Sequence, residues 1–387
     1  MPVRVPVAAD VLEWALDRAP DPGAVTHAMP KVLEWMAGDS QPTVKQLTTF
    51  ATRTGTPFGY LLLQRPPDLE LPVPDFREGF DGEELGDPSA DLLAVVHQSI
   101  RRQDWYRDYA IDNALPPVEQ VGSGEDVSVV EVAADMRQAL DYEVRQRRGS
   151  WSDQRKRLLR AFEDLGGLTV ATSMVENNTH RMLDPEEFRG FSLVDPLAPL
   201  VFVNTRQTIN GQIFTLAHEF AHVWRGVGGV SLEDLRWRPQ SRIERWCNDV
   251  ASEFLVPAEH LRERFVDVRH REHVEQLEVL ARTYKCGTLV VLQALNRTRL
   301  RRFDDFEVAY DTEVARLRAL SEDREDASGS GQFLYNQPYR IGERFSRAII
   351  DDALGGRTTL AEAVRLTSLK SLTNFDNYAA YLSGASA

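Results

Sequence analysis

One stretch of the chain decides how the rest is interpreted, and it reads Phe214-Thr215-Leu216-Ala217-His218-Glu219-Phe220-Ala221-His222-Val223-Trp224. Its apolar residues surround the two histidines and predict a buried helix from about Asn210 to Trp224. In a helix, residues four apart differ by about 40° of rotation and one turn of rise. His218 and His222 therefore share one face, where both can bind a single metal ion.

The residue after the first histidine is a carboxylate. Glu219 lies next to a metal ligand in sequence and can reach a water on the metal without being a ligand itself. This placement is typical of the general base in metal-dependent hydrolysis. The stretch predicts hydrolytic chemistry with one Zn²⁺ ion per chain. The opposing interpretation is a pair of histidines that only pack in a helical core.

A third zinc ligand is expected, because catalytic zinc takes three protein ligands and keeps a fourth position for water. No further histidine follows His222 at the required spacing, so a carboxylate of the next predicted helix, Arg242–Leu255, should complete the site. Its candidates are Glu244, Asp249 and Glu253. Glu244 shares the apolar face of that helix, whereas Glu253 points about 180° away. Glu244 is the preferred ligand, and an exposed carboxylate at a helix start is the alternative.

Supporting groups are less well determined. Asn248, one turn after Glu244, is placed to hydrogen-bond a ligand histidine, a role that zinc sites commonly fill. The polar candidates for transition-state support are His180, Arg225 and Tyr284, and the sequence does not choose among them. The strand-like run from Leu200 to Asn204 is expected to pair with an extended substrate peptide.

These separated elements resemble, in the same order, the ImmA/IrrE family of zinc metallo-endopeptidases. The matching segments are Val201–Asn204, Phe214–His222, Glu244–Asn248 and Phe254–Pro257. The resemblance implies zinc bound by His218, His222 and Glu244. It implies that Glu219 activates the water. It also implies a regulatory peptidase that cleaves a specific protein partner, such as a helix-turn-helix repressor or an antitoxin-like protein, in a stress response or in a mobile element.

The first 65 residues resemble the second half of an Xre-type helix-turn-helix domain, on the stretch from Trp35 to Leu62. The segment before Trp35 leaves little room for a full second helix and turn, and Pro30 interrupts where a recognition helix should begin. Residues 1–75 carry six basic and nine acidic side chains, a net charge of −3, which is unusual for a DNA reader. We expect a degenerate fold that docks proteins. The alternative is a DNA-binding transcription regulator or antitoxin component of a toxin–antitoxin pair.

Composition limits the remaining classes of protein. The 387 residues include 45 basic and 59 acidic side chains, a net charge of −14, which disfavours a surface that binds nucleic acid throughout. Two cysteines exclude a disulfide framework. No apolar run is long enough to span a membrane. We therefore expect a cytoplasmic location and no membrane contact.

The predicted fold is α+β and mainly α, with a zincin-like core of a small β-sheet and an active-site helix between helical modules. Strand-like runs are Leu168–Thr172, Phe191–Val194 and Pro199–Asn204. The predicted domains are residues 1–65, the helix-turn-helix-like unit; 66–150, a linker strap and helices; 151–310, the metallopeptidase; 311–332, a flexible linker; and 333–387, a helical module. The basic run from Arg145 to Arg157 is interpreted as a solvated helix face.

Overall fold

The computed structural model describes residues 3–19, 21–67, 69–77, 86–232, 239–322 and 333–384. The chain forms two compact units, one of residues 1–72 and 86–96 and the other of residues 73–85 and 97–387. The prediction of an α+β, mainly α fold is confirmed, since the described residues are mainly helical with one small mixed sheet. Within the described ranges, no helix is long and apolar enough to cross a membrane.

The first unit packs short helices around a small apolar core. These are α1 (Ala9–Asp17), α2 (Pro22–Ala28), α3 (Lys31–Met36) and α4 (Val44–Thr54), followed by a 3-10 turn at Tyr60–Leu62. Trp35 and Phe50 meet edge to face in the core, with 6.4 Å between their ring centroids. Pro30 stands directly before α3, whose six residues follow the seven of α2 after a two-residue break. The proline therefore separates two short helices.

A four-stranded sheet is the base of the second unit. Its strands are β1 (Leu168–Thr172), β2 (Gly190–Leu193), β3 (Leu200–Asn204) and β4 (Gly229–Ser231), in the order β1-β3-β2-β4. Strands β1 and β3 are parallel, and β2 is antiparallel to both β3 and β4. The first three strands confirm the predicted runs. Because β3 already has a partner strand on each side, the prediction that it pairs with a substrate peptide is wrong.

The other long elements described from residue 86 onward are helices. The helices are α5 (Ala90–Asp112), α6 (Val129–Ala139), α7 (Trp151–Asp164), α8 (Ile209–Arg225), α9 (Arg242–Leu255), α10 (Ala258–Val268), α11 (His273–Tyr284), α12 (Thr288–Arg297), α13 (Phe306–Glu322), α14 (Phe333–Ile341), α15 (Glu343–Leu354), α16 (Leu360–Leu366) and α17 (Leu372–Leu382). Helix α8 lies between the sheet and helices α7 and α9, and every residue from Gln212 to Trp224 is buried. The central stretch of the sequence is therefore the centre of the core.

The predicted flexible linker at 311–332 is wrong over its first part, because α13 extends through residue 322. The side chain of Glu313 is buried and accepts hydrogen bonds from the Thr288 hydroxyl and the Arg316 guanidinium, which fixes this helix. Residues 323–332 lie outside the described residues. Helix α14 packs on β1, and residues 97–387 form a single unit. The predicted boundaries at 150, 310 and 332 therefore do not separate compact units.

The interpretation of the basic run as a solvated face is wrong at Arg147, which is only 5% exposed. Its guanidinium donates to the backbone carbonyls of Tyr142, Phe254, Leu255 and Tyr284. The carbonyls at a helix C-terminus have no donor within their own helix. Arg147 supplies donors to the end of α9.

Candidate metal centre

Helix α8 carries three of the site residues and is fixed at both ends. The Thr208 hydroxyl accepts the N–H of Gly211 at 3.1 Å, and Gly226 ends the helix in the left-handed region with φ of 77°, which glycine adopts without strain. The side chains of His218, Glu219 and His222 are 0% exposed. Their burial places two imidazoles and a carboxylate in an environment with little water.

Glu244, in the first turn of α9, joins the two histidines. Its Oε2 lies 3.1 Å from Nε2 of His218 and its Oε1 lies 3.0 Å from Nε2 of His222. The two Nε2 atoms are 3.1 Å apart. These three side chains could hold a metal ion, and no other group of three such ligands occurs among the described residues.

Both imidazoles are oriented by oxygen atoms near their Nδ1 atoms. Nδ1 of His218 is 3.0 Å from Oδ1 of Asn248, and Nδ1 of His222 is 2.8 Å from the carbonyl oxygen of Val227. Because an oxygen acceptor requires a proton on Nδ1, each Nε2 faces Glu244 with either its lone pair or a second proton. At these distances the two Nε2 atoms and the carboxylate need positive charge between them, either that proton or a metal ion in its place. The donor set therefore fits a metal ion such as Zn²⁺.

Electrostatics support this interpretation. Burial would raise the pKa of Glu244, but the imidazoles of His218 and His222 outweigh it and lower that pKa to about 2. Burial would lower the pKa of His222, yet contacts with Cys247 and Glu244 raise it well above 6.5. Burial raises the pKa of the Cys247 thiol, which keeps the thiol protonated at neutral pH. The cluster stabilises positive charge and offers Glu244 as an ionised ligand.

Glu219 points to the neighbouring strand β2, where Gly190 leaves room for it. A Cβ at Gly190 would lie 2.8 Å from Oε1 of Glu219, 2.6 Å from Cγ2 of Thr215 and 2.9 Å from the carbonyl oxygen of Phe202. Gly190 pairs with Ser231 across the sheet. A residue without a side chain at this position lets the carboxylate lie against the sheet.

The other carboxylates of α9 lie apart from the cluster. Glu253 is buried, and its Oε2 is 2.7 Å from the Arg297 guanidinium while its Oε1 accepts the N–H of Ala258 at 3.0 Å. Asp249 is half-buried. The structure therefore brings Glu244, and neither alternative, to the histidines.

The three candidates for transition-state support are dispersed. The Tyr284 hydroxyl is 2.9 Å from Nδ1 of His260, and Arg147 joins the Tyr284 carbonyl to the end of α9. The Arg225 guanidinium lies over the Trp246 ring at 5.2 Å. His180 is exposed in the segment between β1 and β2. The roles of Tyr284, Arg225 and His180 stay predictions.

Two residues at the site have no signal in the sequence. The Ser231 hydroxyl lies 3.4 Å from Nε2 of His222, and the Phe76 ring stacks on the His222 imidazole with centroids 5.7 Å apart and 14° between the planes. Strand β4, which carries Ser231, has three residues and is too short for a periodic pattern. Phe76 lies in a proline-rich segment that is typical of a linker.

Two family models match segments of this chain. Residues 162–296, which contain the whole cluster, match the family model Peptidase_M78, the IrrE N-terminal-like domain. Residues 341–381 match DUF8813, a domain of unknown function. No curated protein matches the chain. The segment that holds the candidate metal ligands is similar to the IrrE N-terminal-like domain, and this similarity supports a metallopeptidase-like role.

Proposed function

We propose that this chain is a regulatory zinc endopeptidase that hydrolyses a peptide bond in a specific protein. The observation that carries the proposal is the cluster of His218, His222 and Glu244, with Glu219 next to the first ligand on the same helix. The match of residues 162–296 to the IrrE N-terminal-like domain supports it.

Zinc in this site would polarise the scissile carbonyl and lower the pKa of a water. Glu219 then takes a proton from the attacking water and passes it to the leaving amine. Asn248 and the Val227 carbonyl hold the two imidazoles with Nε2 toward the site. Burial strengthens these interactions, since competing water is excluded.

The burial of the site favours a narrow substrate range. The four central side chains are between 0% and 3% exposed, and a protease of broad specificity needs an open cleft. We propose that the substrate is one protein, of the repressor or antitoxin-like kind. The first compact unit, residues 1–72 and 86–96, would dock it, in the cytoplasm.

The second candidate is a DNA-binding regulator or antitoxin. Its support is the pair of consecutive short helices α2 and α3, although the two residues between them are fewer than the three or four of a usual helix-turn-helix turn. The net charge of −3 over residues 1–75 weighs against it. The two candidates make different predictions for Glu219. Replacing this residue slows cleavage strongly if the chain is a peptidase, whereas a DNA-binding function does not depend on it.

Metal analysis tests the ligand set. The wild-type chain is expected to hold one zinc, and Glu244→Ala is expected to lose it. Asp249→Ala removes a half-buried carboxylate from the same helix and serves as the matched control, with zinc retained. Full zinc content in Glu244→Ala would show that the third ligand lies elsewhere.

Cleavage assays test the reaction. Proteins encoded beside this gene are the candidate substrates, and new termini are identified by mass spectrometry. Glu219→Gln is expected to keep its zinc and to cut at least about 100-fold more slowly, since general acid–base groups contribute roughly 10²- to 10⁴-fold. If the zinc is purely structural, two other results are expected. Removal of the metal by a chelator unfolds the domain, and no partner is ever cut.

A further inference from the structure

A short segment of the chain lies along the outer edge of the sheet, beside the metal centre. We name this segment, residues 73–77, the strap. The N–H of Val230 in β4 donates to the carbonyl oxygen of Pro74 at 2.9 Å, and the N–H of Phe76 donates to the carbonyl oxygen of Val230 at 2.9 Å. Asp75 forms a parallel bridge with Val230. The strap therefore uses the hydrogen-bonding groups that an added strand would use.

The strap places an aromatic ring on a metal ligand. Phe76 stacks on His222 at 5.7 Å, and it lies in a notch that Gly229 leaves open. A Cβ at Gly229 would lie 2.5 Å from Cε2 of Phe76 and 2.7 Å from the carbonyl oxygen of Pro74. Gly229 of the edge strand β4 therefore leaves the space that the Phe76 ring and the Pro74 carbonyl occupy.

The buried Arg77 guanidinium anchors the far end of the strap. The Arg77 guanidinium binds both carboxylate oxygens of Asp75, at 2.8 and 2.7 Å, and lies 3.3 Å from Oε1 of Glu187. Arg77 is 7% exposed, although Asp75 itself is exposed. Asp75 belongs to the strap itself, whereas the contact of the buried Arg77 guanidinium with the partly exposed Glu187 joins the strap to the body of the second unit.

The strap covers the sheet edge that lies next to the chemistry. At the opposite edge, β1 is packed against α14. At this edge, Ser231 of β4 lies 3.4 Å from Nε2 of His222, and its partner Gly190 in β2 contacts Glu219. A peptide that adds to a sheet edge in order to reach His222 and Glu219 must pair with β4. That position is already filled.

We propose that the strap autoinhibits the metal centre by occupying the edge of β4 and the face of His222 until it is displaced. This inference rests on the proposed peptidase function. Pairing with β4 is exclusive, because Val230 has one N–H and its outward position is used by Pro74. A substrate peptide can bind only after the strap leaves.

The chain order suggests how displacement could be controlled. The strap begins at Val73, directly after the first compact unit reaches Pro72, and the chain returns to that unit at Gly86. A partner that binds the first unit therefore acts on residues covalently joined to the strap. The partner class expected is the same protein whose cleavage is proposed above.

The test uses the full-length, zinc-loaded chain with Phe76→Ala and, as a second variant, Glu187→Gln, which weakens the Arg77 anchor. Ile111→Ala removes a 59% exposed apolar side chain and is the matched control. Hydrogen exchange at the Val230 amide reports release of the strap. Calorimetry with a tetrapeptide hydroxamate reports access to the metal and the edge together.

Both strap variants are expected to exchange the Val230 amide faster and to bind the hydroxamate about tenfold more tightly, which corresponds to about 1.4 kcal/mol. The control should match wild type in both measurements. Unchanged exchange in both variants overturns the proposal. So does faster exchange without a gain in hydroxamate affinity. If the variants gain affinity for the hydroxamate but neither they nor wild type cut any partner, the proposed peptidase function is wrong. The inference that the strap blocks the site is then still supported.

Discussion

Oδ1 of Asn248 lies 3.0 Å from Nδ1 of His218, so helix α9 fixes the ring that helix α8 supplies. The same helix provides Glu244 one turn earlier, with its Oε2 3.1 Å from the other nitrogen of that ring. One helix thus sets both the position of Glu244, the third candidate ligand, and the orientation of the His218 ring. A single rigid element controls the geometry of the cluster.

Asn248→Ala is expected to weaken zinc binding by about 10- to 100-fold, the usual effect of losing a hydrogen-bond partner behind a metal ligand. The loss leaves Nδ1–H of His218 without its acceptor and frees the ring to rotate. Competition with a chromophoric chelator at fixed pH measures the affinity. Asp249→Ala is the control on the same helix. Equal affinities in the two variants would contradict a supporting role for Asn248.

The juxtaposition of the candidate metal ligands could be predicted from the sequence because a helix fixes the directions of its own side chains. The spacing of His218 and His222 was enough to place them on one face of a helix. The helical phase of the next helix was enough to select Glu244. The contact between Phe76 and His222 joins residues distant in sequence through a three-residue strand, and no local pattern encodes it. Arg147 was misjudged for a related reason: a charged run does not reveal which of its members meets a helix end.

Gly190→Ala is expected to destabilise the chain by about 2 kcal/mol, within the range of overpacking in a dense core. The added Cβ would lie under 3 Å from both Glu219 Oε1 and Thr215 Cγ2, so the helix or the strand must move. Peptidase activity should fall by more than the loss of folded protein accounts for, because Glu219 is displaced. Gly59→Ala, which meets nothing within 4 Å, is the control. Chemical denaturation reports the free energy of unfolding, and wild-type stability in Gly190→Ala would refute the close contact.

Arg147→Met is expected to cost about 3 kcal/mol of unfolding free energy, because the carbonyls of Phe254 and Leu255 lose their buried donor. Burial lowers the pKa of this guanidinium, but the group stays charged at neutral pH. Arg148→Met changes an exposed neighbour in the same run and should have an effect within about 0.5 kcal/mol. Similar melting curves for the two variants would support the interpretation that the whole basic run from Arg145 to Arg157 is a solvated helix face.

Glu163 is a buried carboxyl at the point where α15 begins. It accepts hydrogen bonds from the Thr169 hydroxyl at 2.6 Å and from the N–H groups of Glu343 and Arg344 at 3.0 and 3.3 Å. Burial nevertheless raises its pKa from 4.5 to about 7, against the lowering effect of these bonds. At neutral pH the folded chain therefore holds a partly protonated carboxyl between α7 and the C-terminal helices.

A raised folded pKa means that the folded chain binds the proton more tightly than the unfolded chain does. This contribution to stability is fully present below pH 4.5 and is lost as pH rises towards 7, by roughly 3 kcal/mol in all. Glu163→Gln cannot ionise, so the fall in unfolding free energy between pH 5 and pH 7.5 should be smaller than in wild type. Asp164→Asn removes an exposed carboxylate next to it and controls for the change in charge. Denaturation of the metal-free chain at several pH values gives both slopes. Parallel curves for wild type and Glu163→Gln would mean that this carboxyl is ionised throughout, with its hydrogen bonds outweighing its burial.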